Sequence, residues 1–151
     1  MTIEQLLNKG ADTLRKAGVS EYRLDAWYLL SYYMNIGKNE YYKNPYALVS
    51  DAQVTEYESL ISERAKRKPL QYITGEQEFA GLIFNVNENV LIPRQDTEVI
   101  VELVIKHAKS KRVLDMCTGS GCIAVSVAKY SEALSVTASD VSESAISIAK
   151  K

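Results

Sequence analysis

The chain has 151 residues, 46% of them hydrophobic and 25% charged, with 18 basic and 19 acidic side chains for a net charge of −1. This is the composition of an ordinary folding sequence: it excludes overall disorder and collagen-like repeats, and its neutral balance argues against a general nucleic-acid binder. No apolar run approaches the ~20 residues a membrane span needs, and two cysteines make no disulfide scaffold.

The start, Met1-Thr2-Ile3-Glu4-Gln5, lacks the basic-then-apolar pattern of a secretory leader, so a cytoplasmic location is the expectation. The length allows one full domain or two small ones. Nine of the ten tyrosines and the only tryptophan lie before residue 73, whereas both cysteines and the only Gly-x-Gly lie after residue 115. Two parts so different in style point to two domains.

The first part reads as helical. Thr2 and Gln5 form a capping box, followed by an apolar stripe of Ile3, Leu6, Leu7, Ala11 and Leu14, with Gly18 as the stop. Ser20 is placed to cap a second helix whose apolar face is Leu24, Trp27, Tyr28 and Leu30; Gly37 ends it or opens the next turn. Asn44-Pro45 breaks any helix there. Ser50 and Gln53 form a second capping box, opening a helix to about Arg67 with Val54, Tyr57, Leu60, Ile61 and Ala65 on one side, stopped by Pro69.

From residue 76 the pattern becomes short strands: Glu78-Phe79 and Leu82 to Val86 around Gly81, then Val90-Leu91-Ile92 before Pro93. Asp96 or Thr97 is placed to cap a helix carrying Val99, Ile100, Leu103, Val104 and Ala108. Lys111 to Met116 reads as a buried strand, followed by a Gly loop and a helix from about Gly121 to Lys129. A second strand runs from Leu134 to Ala138, and Ser142 caps a last helix with Ala145, Ile146 and Ala149. Strand–helix–strand–helix order belongs to a doubly wound parallel sheet. Two strands do not complete one, so the chain reads as the N-terminal part of a longer protein.

The informative stretch is Asp115-Met116-Cys117-Thr118-Gly119-Ser120-Gly121 between strand and helix. Glycines there permit a sharp turn and close ligand approach. Asp140, ending the next strand, suits the two hydroxyls of a ribose. Gly119-x-Gly121-x-x-Ala124 fits a dinucleotide fingerprint, but Asp115 at the strand end would face a pyrophosphate poorly. It suits instead the cationic amino group of S-adenosylmethionine, which is the preferred ligand over NAD. Asp115, Cys117, Thr118, Gly119, Ser120, Gly121 and Asp140 are therefore the candidate cofactor contacts.

Three stretches of the chain resemble the HemK/PrmC family of release-factor glutamine methyltransferases. Leu91-Ile92-Pro93-Arg94-Gln95-Asp96-Thr97-Glu98 is similar to that family's Ile-Pro-Arg-Pro-Glu-Thr-Glu segment. The Asp115–Gly121 loop is similar to its Asp-Leu-Gly-Thr-Gly-Ser-Gly, with Cys117 where a glycine is usual. Pro69-Leu70-Gln71-Tyr72-Ile73-Thr74-Gly75 is similar to its link out of the helical domain. The resemblance implies a helical substrate-docking domain over 1–75, a β-hairpin linker over 76–93, and from 94 the start of a Rossmann-like class I methyltransferase domain. It adds Arg94 and Thr97 to the cofactor contacts. It also implies methyl transfer from S-adenosylmethionine to the side-chain amide of the Gln in the Gly-Gly-Gln motif of peptide chain release factors, in translation termination. Methylation of a ribosomal protein and a non-catalytic protein-binding module stay open as alternatives.

Other residues carry weaker signals. Cys117 and Cys122 lack metal-ligand spacing, so no metal is expected, and His107 sits alone near a helix end. Arg64, Lys66, Arg67 and Lys68 form a basic cluster that reads as dipole compensation or as a contact for an acidic partner face or rRNA. Tyr32, Tyr33, Tyr41 and Tyr42 exceed what a small core needs, and some are candidates to face a protein partner. The family's amide-holding Asn-Pro-Pro-Tyr is not among these residues, and Asn44-Pro45-Tyr46 reads as a turn. The expectation is that purified 1–151 does not methylate a release factor; transfer of labelled methyl above a no-protein control would overturn it.

Overall fold

The computed structural model describes all 151 residues. They divide into two compact units, Met1–Thr74 and Gly75–Lys151.

The first unit is helical: α1 (Ile3–Lys16), α2 (Tyr22–Met34), α3 (Lys38–Lys43), α4 (Asp51–Ala65) and α5 (Leu70–Thr74). Both expected capping boxes form. Thr2 Oγ1 accepts from Gln5 N–H at 3.2 Å and Gln5 Oε1 from Thr2 N–H at 2.9 Å, and Ser50 and Gln53 repeat the pattern. Two further N–H groups at the start of α1 donate outside the helix, Ile3 to Ala47 O and Glu4 to Pro45 O, both at 3.0 Å, so the Asn44-Pro45 turn supplies part of the cap. Gly18, at φ +74°, ends α1 in a Schellman arrangement: its N–H reaches Arg15 O, and that of Val19 reaches Leu14 O. Leu14 and Val19 are both buried.

The stripe of α1 packs inward as expected, through Ile3, Leu6 and Leu14, and α4 contributes Tyr57 and Ile61. On α2 the expectation fails in part. Ala26, Leu29 and Leu30 are buried, while Leu24 and Tyr28 stand 43% and 49% exposed. The helix is apolar on more than one side, so periodicity does not single out the core face. Ser20 caps nothing; α2 starts after Glu21 without a side-chain cap. The fourth helix ends at Ala65 rather than Arg67, because Arg67 takes φ +72°.

The basic cluster is consumed within this unit. Arg64 Nε donates to Asp25 Oδ2 at 2.7 Å, an ion pair with little solvent access that ties α4 to α2. Arg67 donates to Ala17 O at 3.0 Å, and Lys66 and Lys68 both pair with Glu63.

The second unit begins with an antiparallel hairpin, β1 (Glu76–Phe79) and β2 (Leu82–Asn85). Its two-residue turn, Ala80 and Gly81 at φ +50° and +73°, has the left-handed pair that matches the strand twist. Phe79 and Phe84 meet edge to face, 6.1 Å between centroids, and pack with Val101, Cys122 and Val127. The expected strand at Val90–Ile92 does not form: Val90 N–H turns back to Asn87 O at 3.1 Å, and Pro93 brings no N–H. A 3-10 turn at Gln95–Thr97 leads into α6 (Glu98–His107), and neither Asp96 nor Thr97 makes a capping hydrogen bond. Then come β3 (Arg112–Met116), α7 (Cys122–Tyr130), β4 (Ser135–Ser139) and α8 (Glu143–Ala149).

β3 and β4 pair in parallel, Asp115 opposite Ala138 and Met116 opposite Ser139. The reading of β3 as a buried strand is corrected: Leu114 and Met116 are largely exposed, because two strands with α7 packed against them leave much of the sheet uncovered. Val99, Ile100 and Leu103 of α6 are likewise exposed, and Val101 and Ala108 are buried.

Gly10 of α1 packs directly against Tyr57 of α4. A Cβ there would clash with Tyr57 Oη and with the ring edge beside it, and that hydroxyl donates to Ala26 O at 3.0 Å in a fully buried position. Gly10→Ala is expected to cost about 1–3 kcal/mol, the range for overpacking, in urea unfolding followed by circular dichroism. In a Tyr57→Phe background the added cost should shrink, since the nearest clashing atom is gone; an equal cost in both backgrounds would show that the clash is not with the hydroxyl.

Candidate functional site

Both strand-end acids lie at the carboxyl end of the parallel pair, the edge where doubly wound sheets bind ligands. The connection from β3 to α7 needs left-handed backbone at three of five residues: Cys117 at φ +62°, Gly119 at +57° and Gly121 at +81°. For Cys117 this conformation is costly, since only glycine adopts it freely. The compensation comes from four hydrogen bonds. Thr118 N–H donates to Ser139 O at 3.0 Å and Gly121 N–H to Thr118 O at 2.9 Å. Gly119 N–H donates to Asp140 Oδ2 at 2.9 Å, and Thr118 Oγ1 donates to Asp115 Oδ2 at 2.6 Å.

Asp140 is held at both oxygens. Oδ1 accepts from Ser142 N–H at 3.0 Å, an Asx turn that precedes the Ser142 cap of α8. Donation from the Ser142 and Gly119 amides holds its carboxyl below the ordinary value near 3.8. Asp115 engages one oxygen with Thr118, and its carboxylate makes no other hydrogen bond. The first helical bond of α7 runs from Val125 N–H to Gly121 O, so the N–H groups before it have no partner inside the helix. The result is an edge with two carboxylates and an open backbone at Gly119, where nothing lies within 4 Å of a Cβ position.

Seven of the expected residues thus come together: Asp115, Cys117, Thr118, Gly119, Ser120, Gly121 and Asp140. Thr118 and Ser120 are buried and Cys117 is exposed. Burial pushes the neighbouring Cys122 thiol up, which keeps it protonated and inert. Arg94 and Thr97 make no hydrogen bond or ion pair with the loop. Arg94 pairs with Asp96 at 3.2 Å on an exposed surface, and Thr97 N–H returns to Arg94 O at 2.9 Å. Glu98, in the same segment, accepts from Ala80 N–H at 3.0 Å and braces the left-handed turn of the hairpin.

Sequence reasoning missed three supports. The Asp140-x-Ser142 pattern carries the Asx-turn signal and was legible. The Ser139 carbonyl under Thr118 and the approach of α8 at Gly121, where a Cβ would lie 3.1 Å from Ala149 Cβ, have no local signature.

Comparison with known proteins follows the same division. Residues 5–75 match the family model described as PrmC N-terminal domain, and residues 94–151 match that of the methyltransferase small domain. The chain is 40% identical to the release factor glutamine methyltransferase of Leptospira interrogans, over 99% of this chain and 54% of that protein. It is 40% identical to that of Geobacter sulfurreducens, over 99% and 53%, and 38% identical to that of Moorella thermoacetica, over 100% and 54%. The chain therefore spans about half the length of the curated relatives it matches.

The lowered pKa of Asp140 has a definite sign in stability. Its contribution is complete above the unfolded value near 3.8 and is lost as pH falls through the lower folded value. In an acid unfolding series Asp140→Asn should lose less stability than the parent across that window. Identical acid profiles would show that the two amide bonds do not hold the folded carboxylate.

Proposed function

The chain belongs to the HemK/PrmC family, and from that membership we propose that it supplies the helical unit and the first half of the cofactor edge of an S-adenosylmethionine-dependent protein-glutamine methyltransferase. The acceptor is the side-chain amide nitrogen of the Gln in the Gly-Gly-Gln motif of peptide chain release factors. One observation carries the cofactor reading: Asp115 stands at the end of β3 with one oxygen held by Thr118 and the other open.

The donor set fits this cofactor better than a dinucleotide. Asp115 matches a cationic amino group, and a carboxylate beside a pyrophosphate would repel it. Asp140 keeps lone pairs on both oxygens after accepting the two amides, enough for a ribose diol. The open backbone at Gly119 lets a ligand come close. S-adenosylmethionine, when bound, supplies an electrophilic methyl group on its sulfonium. The chain's own residues orient it: Thr118 fixes the Asp115 carboxylate, and Asp140 ties the loop to the start of α8. Arg94 and Thr97 are assigned to the border of the same site. The helical residues 1–75 are assigned to docking the acceptor protein, and 76–93 to the link.

Isothermal titration of the chain with S-adenosylhomocysteine tests the loop. Binding is expected, with NAD failing to compete. Asp115→Ala should weaken it by roughly 10–100-fold, the equivalent of losing a charge-assisted hydrogen bond. Displacement by NAD, or binding indifferent to Asp115, would sink the reading.

A further inference from the structure

The helical unit carries a second feature that the cofactor edge does not explain. Between α1, α2 and α3 lies a cleft of ≈420 Å³, within the range of pockets that hold ligands. Its floor is apolar and aromatic: Leu7, Leu24, Trp27, Tyr41 and Tyr42. Trp27 and Tyr41 meet edge to face with centroids 5.3 Å apart, and Tyr41 and Tyr42 do the same at 5.3 Å. Tyr42 is nonetheless 74% exposed. Along α2, Leu24, Tyr28 and Tyr32 are spaced by four residues, so they line one side of the helix, and each is more than two-fifths exposed. A soluble surface has no need of such a stripe, and Trp, Tyr and Arg are the side chains that dominate binding hot spots.

Arg23 and Lys38 complete the lining, and no carboxylate joins them. Neither cation forms an ion pair; Arg23 lies over the Tyr22 ring at 5.6 Å. The acids nearby are engaged elsewhere or stand outside the lining. Glu40 accepts from Gly37 N–H at 2.7 Å, Asp12 pairs with Arg15 at 3.0 Å, and Asp25 pairs with Arg64 at 2.7 Å. Glu4 acts on Tyr41 from outside the lining. The cleft is thus an aromatic floor beside two positive charges that have no ion-pair partner.

We propose that this cleft, with the Leu24–Tyr28–Tyr32 stripe, docks an acidic segment of a partner protein that carries large apolar side chains. The apolar side chains fill the floor, and the carboxylates pair with Arg23 and Lys38. This rests on and deepens the assignment of residues 1–75 to docking a protein partner, and it is independent of the cofactor assignment, since every residue involved lies in Met1–Thr74.

Trp27 is the only tryptophan, so its emission reports on the cleft directly. The chain is titrated with a tryptophan-free peptide of repeating leucine and glutamate. Two control peptides carry lysine for glutamate or serine for leucine. The acidic apolar peptide alone is expected to shift Trp27 emission, less so at high salt. The double variant Arg23→Glu/Lys38→Glu should weaken it by roughly tenfold or more. Both positions are exposed and without ion-pair partners, and circular dichroism verifies that the variant folds. No emission change, equal response to the lysine peptide, or an unaltered affinity in the charge-reversed variant would each overturn the proposal. S-adenosylhomocysteine binding on the same sample separates the two assignments: peptide binding without it defeats the cofactor reading alone, and the reverse defeats the docking site alone.

Discussion

The second unit hangs on the Asp140 carboxylate. One oxygen takes the Gly119 amide from the loop after β3, and the other takes the Ser142 amide at the start of α8. One side chain therefore joins two consecutive strand-to-helix connections that are 21 residues apart in sequence. Without it the loop would keep the Ser139 carbonyl, its own turn bond and the Thr118–Asp115 bond to offset three left-handed residues, one of them Cys117. Left-handed backbone at a residue with a side chain costs roughly 1–2 kcal/mol and persists only where the surroundings over-determine it. The same ties leave the Asp115 carboxylate aimed by Thr118 and half unsatisfied, so local strain and an open acceptor sit on one loop.

The hairpin shows a comparable division of labour. Glu98 follows a segment rich in polar side chains, and any of them could be read as a ligand contact. Its carboxylate instead satisfies the Ala80 amide, which the two-residue turn leaves without a strand partner. The Phe79–Phe84 pair then packs with Val101 of α6 and with Cys122 and Val127 of α7. Supports for the hairpin and for the first turn of α7 thus share one small apolar cluster, and a change to either is felt by the other.

In the helical unit, close packing and one shielded ion pair set the arrangement. Gly10 allows Tyr57 to cross α1 and reach the Ala26 carbonyl, and Arg64 reaches Asp25 across the same helices. The basic run at residues 64–68 looks like a free charged patch in sequence, yet all four side chains find partners within the unit. Arg23 and Lys38, which no charge run marks, instead line the aromatic cleft without an ion-pair partner.

What the sequence determined by itself was local. Capping boxes at Thr2 and Ser50, the Gly18 stop, the Ser142 cap and the strand–Gly loop–helix order each depend on residues a few positions apart, and each stands where those residues placed it. The left-handed positions Gly119 and Gly121 and the two strand-end acids were legible for the same reason. What only the tertiary structure decided was which groups meet across long separations. It turned Leu24 and Tyr28 outward on a helix apolar on several sides and folded Val90 back into a turn with Asn87 instead of a strand. It also left β3 partly uncovered and spent Glu98 on a turn 18 residues away. Periodicity gives a helix its faces, but burial and hydrogen-bond satisfaction are settled by whichever neighbour arrives, and no local pattern records that neighbour.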